Sequence, residues 1–127
     1  MFKRAIFVVM LLSIACDVAP TRPSGAALVT FQVANEVFRV SLSSADTIAA
    51  ARRAQANGAA RIPIGRIVPG TDVNTGWSWH LEDVTFAEVA IELCDGRPSD
   101  VERGGVAFGG GRYCPWLASV VQIEERR

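Results

Sequence analysis

Leu28-Val-Thr-Phe-Gln-Val33, Ala34-Asn-Glu36, Val37-Phe-Arg-Val-Ser-Leu42 and, after Ser43, Ser44-Ala-Asp-Thr-Ile-Ala-Ala-Ala-Arg-Arg-Ala-Gln-Ala-Asn-Gly58 form the stretch that decides the fold class. The first and third segments are β-type runs. In the third, Phe38, Val40 and Leu42 alternate with Val37, Arg39 and Ser41, the period of a half-buried strand. The three-residue link holds an asparagine, which tolerates turn conformations, so the two runs read as a hairpin. Ser44 then suits a helix N-cap, with Asp46 in the first turn, where the helix dipole favours a negative charge. The alanine-rich run Thr47–Asn57 follows and completes one short helix, stopped by Gly58. Its apolar face is narrow, Ile48 with alanines, and so belongs close against a sheet.

Downstream, Ile62–Val68 reads as a strand whose Pro63 belongs at its start or on an edge. Pro69-Gly70 ends it, and residues 71–76 form a polar loop. Trp77, Trp79 and Leu81 then alternate with Ser78, His80 and Glu82; Val89, Ile91 and Leu93 alternate with Glu88, Ala90 and Glu92. Both patterns predict strands. Pro98–Glu102 suits a helical turn, Gly104-Gly105 and Gly109–Gly111 flexible connections, and Trp116–Ile123 a closing strand. The sum is a small single α+β domain over residues 28–127, with a largely antiparallel sheet, one main short helix and one disulfide.

Residues 1–15 predict an export signal. Lys3-Arg4 precedes an eleven-residue apolar run, Ala5–Ala15, too short for the roughly 20 residues that span a bilayer. Leu12-Ser-Ile-Ala-Cys16 resembles a bacterial lipobox, so Cys16 is the candidate lipidation site, and the chain is expected as a membrane-anchored lipoprotein, periplasmic or extracellular. Cleavage after Ser13-Ile-Ala15, giving a soluble secreted protein, is the alternative. Residues 16–27, with Pro20, Pro23 and Gly25, read as a tether.

The 127 residues carry 13 basic and 13 acidic side chains. Removal of Lys3 and Arg4 leaves 11 against 13, a net of −2, with no lysine remaining. No basic stripe is present, which argues against nucleic acid as a partner. The composition is 50% hydrophobic and 20% charged, ordinary for a globular domain.

Of the three cysteines, Cys94 and Cys114 form an even pair once Cys16 is set aside, and an exported chain favours their disulfide. With one histidine and no Cys-x-x-Cys pair, a zinc site is a poor rival; no metal and no cofactor is expected. His80 carries any general-base reading, and a neighbouring strand bringing Glu88 or Glu92 across would give it a carboxylate. The plainer reading has His80 hydrogen-bonded to a nearby backbone or carboxylate group, holding Trp77–Leu81. A triad of Ser78, His80 and Asp83 is disfavoured, because strand neighbours two apart seldom converge on one substrate. Trp77, Trp79, His80, Glu82, Tyr113 and Trp116 make the candidate binding surface, since Trp and Tyr are frequent hot spots. The competing reading packs the tryptophans around the disulfide as core.

Gly65-Arg-Ile-Val68, Trp77-Ser-Trp-His-Leu81, Ala90-Ile-Glu-Leu-Cys-Asp95, Val101-Glu102 and Tyr113-Cys-Pro-Trp116, in that order, resemble the N-terminal domain of the cAMP-inducible prespore protein family of social amoebae, a domain also found alone in exported bacterial proteins. The resemblance covers roughly Val29 to Glu125. Departures are Glu82-Asp83 for Asp-Pro, Gly96 for alanine, Tyr113 for tryptophan, and glycines after Phe108. The resemblance implies no catalytic residue or established activity. The leading expectation is therefore a non-enzymatic binding module with an unidentified protein or small-molecule ligand. A metal-dependent or His80-based hydrolase is the alternative, and a secreted protease inhibitor presenting residues 69–76 the third.

Overall fold

The computed structural model describes residues 26–125. The export signal, Cys16 and nearly all of the proposed tether lie outside them. Strand β1 (Ala27–Val33) pairs antiparallel with β2 (Glu36–Leu42), so Glu36 belongs to the strand and the turn has two residues. Ala34, rather than Asn35, takes the positive φ, 56°. Helix α1 (Ala45–Asn57) begins directly after Ser44, where the cap residue predicts, with Asp46 in its first turn. Ser44 caps it, the hydroxyl accepting from Thr47 N at 3.1 Å, and Gly58 ends it at φ 71°. Its buried side chains, Ile48, Ala51 and Ala54, recur every three residues, and the alanines let the helix lie close on the strands below.

Strand β3 (Ile62–Pro69) pairs with β4 (Trp79–Ala87) on one side and the short β5 (Arg112–Tyr113) on the other. Pro63 sits at the second position of β3, ahead of the region where β5 pairs, so its missing N–H costs no ladder bond there. The closing strand β6 (Ser119–Glu125) returns to the free side of β1. It starts later than the apolar tail suggests, beyond Pro115. The result is two three-stranded antiparallel sheets, ordered β2-β1-β6 and β4-β3-β5, rather than one.

Both sheets share a core. Val29, Phe31, Phe38 and Val40 enter it from the first sheet, Ile67, Trp79, Leu81 and Tyr113 from the second, and Ile48 and Ala51 from α1. Phe31 stacks on Phe38 at 5.0 Å between ring centroids; Tyr113 lies 5.3 Å from Phe38 and meets Trp79 edge-on at 5.6 Å. A second, smaller cluster of Ile62, Cys94 and Cys114, with Ala90 and Trp116 packed on it, surrounds the disulfide. The two cysteine Cα atoms are 5.0 Å apart, inside the range a disulfide requires.

Three sequence expectations are corrected. Residues 88–93 form no strand. Pairing with β3 ends at Ala87, because β3 begins at Ile62; the chain then runs unpaired into a 3-10 turn at Glu92–Cys94 that delivers Cys94 to Cys114. The helical turn at Pro98–Glu102 is a seven-residue helix, α2 (Pro98–Gly104). Of the glycines after it, Gly109 is packed rather than loose, while Gly105 has open space around it. The 3-10 turns over Gly105–Gly110 are interrupted by a kink at Phe108 and Gly109, and a Cβ on Gly109 would lie 2.8 Å from the Cys94 Cα.

Candidate functional site

The residues singled out in the sequence fall in three places: the seam between the sheets, the core, and the disulfide ledge. At the seam, β2 and β4 are edge strands of different sheets. The loop between β3 and β4 turns Asn74 inward until it is fully buried. Its side-chain oxygen accepts from Arg39 N at 2.9 Å, and its amide donates to Trp79 O at 2.9 Å, so one side chain joins β2 to β4. Trp77 adds a second link, its indole N–H donating to Val37 O at 2.8 Å. Backbone groups that an open edge would expose are thus occupied. Asn74 escaped the sequence reading because an asparagine in a polar loop looks the same whether it faces water or the core.

His80 follows on β4. Its Nδ1 lies 2.7 Å from Gly70 O and, since a carbonyl only accepts, donates to it. Its Nε2 is 3.3 Å from Glu82 Oε1. The histidine therefore fastens the β3–β4 loop to the strand face. Its carboxylate partner comes from the same face of its own strand. Glu88 and Glu92 lie beyond the paired part of β4, and the neighbour that β3 supplies is Arg66, which donates to Glu82 at 2.8 Å and also reaches Asp83. Ser78 turns away from the histidine, its hydroxyl donating to Glu102 Oε1 at 2.7 Å. Shallow grooves of about 240 to 300 Å³ occur among the described residues, and three of them are lined by side chains other than His80. No group of three or more His, Cys, Asp or Glu in metal-binding proximity occurs among the described residues.

Two members of the expected binding surface belong instead to the core. Trp79 is 3% exposed and Tyr113 fully buried. The alternation that puts Trp79 opposite His80 also points it at Phe38, and Tyr113 at the end of β5 fills the space between the sheets. The Tyr113 hydroxyl donates to Gly96 O at 2.8 Å. Burial holds its pKa far above the ordinary tyrosine value, with the negative charges of Glu36, Asp95 and Asp100 adding to the shift. Trp77 is half-buried at the seam. Trp116 is half-buried against the disulfide, its backbone N–H donating to Asp95 Oδ1 at 2.9 Å. Glu82 is exposed and held by Arg66.

The largest exposed apolar side chains lie where no site was anticipated. Val89 is 81% exposed, Ile91 67%, Leu93 68% and Leu117 74%. The first three occupy the segment leading into Cys94, and Leu117 follows Cys114 by three residues, so all four are carried on chain fixed by the disulfide. Ala90, between Val89 and Ile91, packs inward on the disulfide cluster. The alternation in this segment was visible in the sequence, but it reads as a strand with one face buried. Helix α2 is tied to β2 by Ser99, whose N–H and hydroxyl donate to Glu36, and to Ser78, just ahead of β4, by Glu102, which accepts from Ser78 N at 3.0 Å.

The described residues contain no helix long and apolar enough to cross a membrane. Comparison with curated proteins finds no match. Comparison with solved structures finds none either. The family of the BP-74 N-terminal domain matches residues 25–127, in line with the resemblance its motifs carry. Covering the whole of the described domain, that match assigns the chain to the BP-74 N-terminal domain family.

Proposed function

We propose that this chain is an exported, lipid-anchored binding module, without catalytic activity, that docks another protein on the ledge formed by Val89, Ile91, Leu93 and Leu117. The observation that carries this reading is the exposure of four large aliphatic side chains, 67% or more each, on chain fixed by a disulfide. Single exposed aliphatics are ordinary, but a group carried on two segments tied together by a disulfide supports an interaction surface. Rigidity matters energetically, because a preformed surface loses little conformational freedom on association. Export is supported by the disulfide, which belongs to oxidising compartments, and by the apolar run that ends at Cys16. The hydrolase alternative finds a single carboxylate beside His80, that of Glu82, which Arg66 already holds, and no third group converging on the ring. The inhibitor alternative gains nothing from the 69–76 loop, which turns its Asn74 inward rather than presenting an extended strand.

Two measurements test the reading. Expressed in a bacterium, the full chain should incorporate labelled palmitate, and Cys16→Ser should abolish the incorporation; a soluble, unlabelled wild type contradicts the anchor. Formaldehyde cross-linking in intact cells of the source should give a discrete higher-mass adduct. The double variant Ile91→Asp, Leu93→Asp should lose that adduct while keeping its melting temperature. An adduct that survives the double variant contradicts the ledge as the docking surface.

A further inference from the structure

His80 is the chain's one histidine, and its two ring nitrogens meet different groups. Nδ1 donates to Gly70 O at 2.7 Å, which fixes the tautomer. In the neutral ring that leaves a lone pair on Nε2, facing Glu82 Oε1 at 3.3 Å. Two acceptors so placed need a cation between them. The two side chains stand two apart on one face of β4, across from Val68 and Arg66 of β3. Both are held from behind. The His80 side chain is 12% exposed, and Arg66 takes the other oxygen of Glu82, Oε2, at 2.8 Å. Asp83, at φ 54°, brings its carboxylate to the same guanidinium and offsets its charge, so Glu82 keeps its own negative charge for a cation.

The distance says which cation. A proton on Nε2 would make a charge-assisted hydrogen bond, and these run about 2.7–2.9 Å. Donor atoms about 2.0–2.1 Å from a tetrahedral metal ion stand about 3.3–3.4 Å from one another, and the His80–Glu82 separation matches that. A ring fixed through Nδ1 by a backbone carbonyl is also the usual support of a metal-bound Nε2. The donor types choose the metal. One imidazole with one carboxylate suits zinc, copper or nickel, whereas calcium and magnesium take oxygen ligands. Two protein donors are fewer than the three or four of a structural zinc site, so water fills the remaining positions and the ion is exchangeable.

Independently of the ledge, we propose that His80 Nε2 and Glu82 Oε1 hold a divalent transition-metal ion, with zinc as the representative case. Bound there, the ion ties the β3–β4 loop, through His80 and Gly70, to the face of β4.

The test uses the untagged full chain in detergent micelles at neutral pH, stripped with a chelator and titrated with zinc chloride by calorimetry. One equivalent should bind saturably, while calcium and magnesium chlorides give no heat of binding. Because the chain has one histidine, its ring nitrogen resonances are read without overlap, and zinc should move Nε2 far more than Nδ1. His80→Gln and Glu82→Gln should each weaken binding by about tenfold or more. Glu82→Gln leaves the His80 bond to Gly70 in place, and its melting temperature without metal shows that the fold is kept. Ile91→Asp with Leu93→Asp should bind zinc as the wild type does. Absence of saturable zinc binding, zinc that leaves the Nε2 resonance unmoved, or equal affinity in the folded Glu82→Gln variant would overturn the site. Calcium bound as tightly as zinc would overturn the choice of ion.

Discussion

Tyr113 carries the sharpest residue-scale consequence. It is the chain's sole tyrosine, fully buried, with its hydroxyl on Gly96 O. The fold binds the neutral phenol and disfavours the phenolate, while the unfolded chain ionises near about pH 10. A folded pKa raised above the unfolded one gives stability that is present in full below about pH 10 and is lost as pH rises through it. Phenolate absorbance at 295 nm should therefore appear only together with unfolding, and Tyr113→Phe should flatten the decline of melting temperature above about pH 10. Free ionisation at pH 10 in a domain that remains folded by circular dichroism would contradict the burial. Asn74 is the second case. Asn74→Ala strands Arg39 N and Trp79 O at the seam. Each unmade buried bond costs about 1–3 kcal/mol, so a loss of about 2–6 kcal/mol in denaturant unfolding is expected for the two. A loss under about 0.5 kcal/mol would mean that water replaces the amide without penalty.

At the scale of elements, two backbone features can be separated by mutation. The β3–β4 ladder shifts register between Ile64 and Arg66, and this brings β4 side chains across Gly65; a Cβ there would lie 2.9 Å from Leu81 Cβ and 3.0 Å from Val84 Cγ2. Gly65→Ala should cost about 1–3 kcal/mol, the usual penalty for overpacking a filled interior. The disulfide closes a loop of 20 residues, worth about 3 kcal/mol in the chain-entropy picture. Its cluster is separate from the main core, so Cys94→Ser with Cys114→Ser should loosen residues 88–95 first. Hydrogen exchange should quicken there while the amides of β1 and β2 stay protected. Uniform acceleration across both sheets would show that the staple holds the whole fold. The hairpin, α1, β3 and the disulfide pair were legible because each rests on local pattern: alternation, caps and cysteine count. The strand expected at 88–93 failed because alternation reports which side chains can face opposite ways, not whether a neighbouring strand exists to pair with. β5 failed for length, since two residues carry no period at all.

On the scale of the whole molecule, the order of the strands explains which surfaces are available. Two sheets share one core, and the facing edges β2 and β4 are closed by Asn74 and Trp77. That arrangement draws Trp79 and Tyr113 inside and leaves His80 as a fastener, so the aromatic residues that marked a candidate surface in the sequence mostly hold the seam. Exposed apolar character is concentrated on the disulfide ledge instead, which no composition or motif distinguishes from a buried strand. Its position opposite no sheet is a property of topology alone. Docking through this ledge is tested most directly by photo-cross-linking in intact source cells, with benzoylphenylalanine placed at Ile91 in one chain and at the exposed Arg53 of α1 in another. A discrete adduct from position 91, absent from position 53, is the expected result. Equal adducts from both positions, or none from position 91, would contradict it.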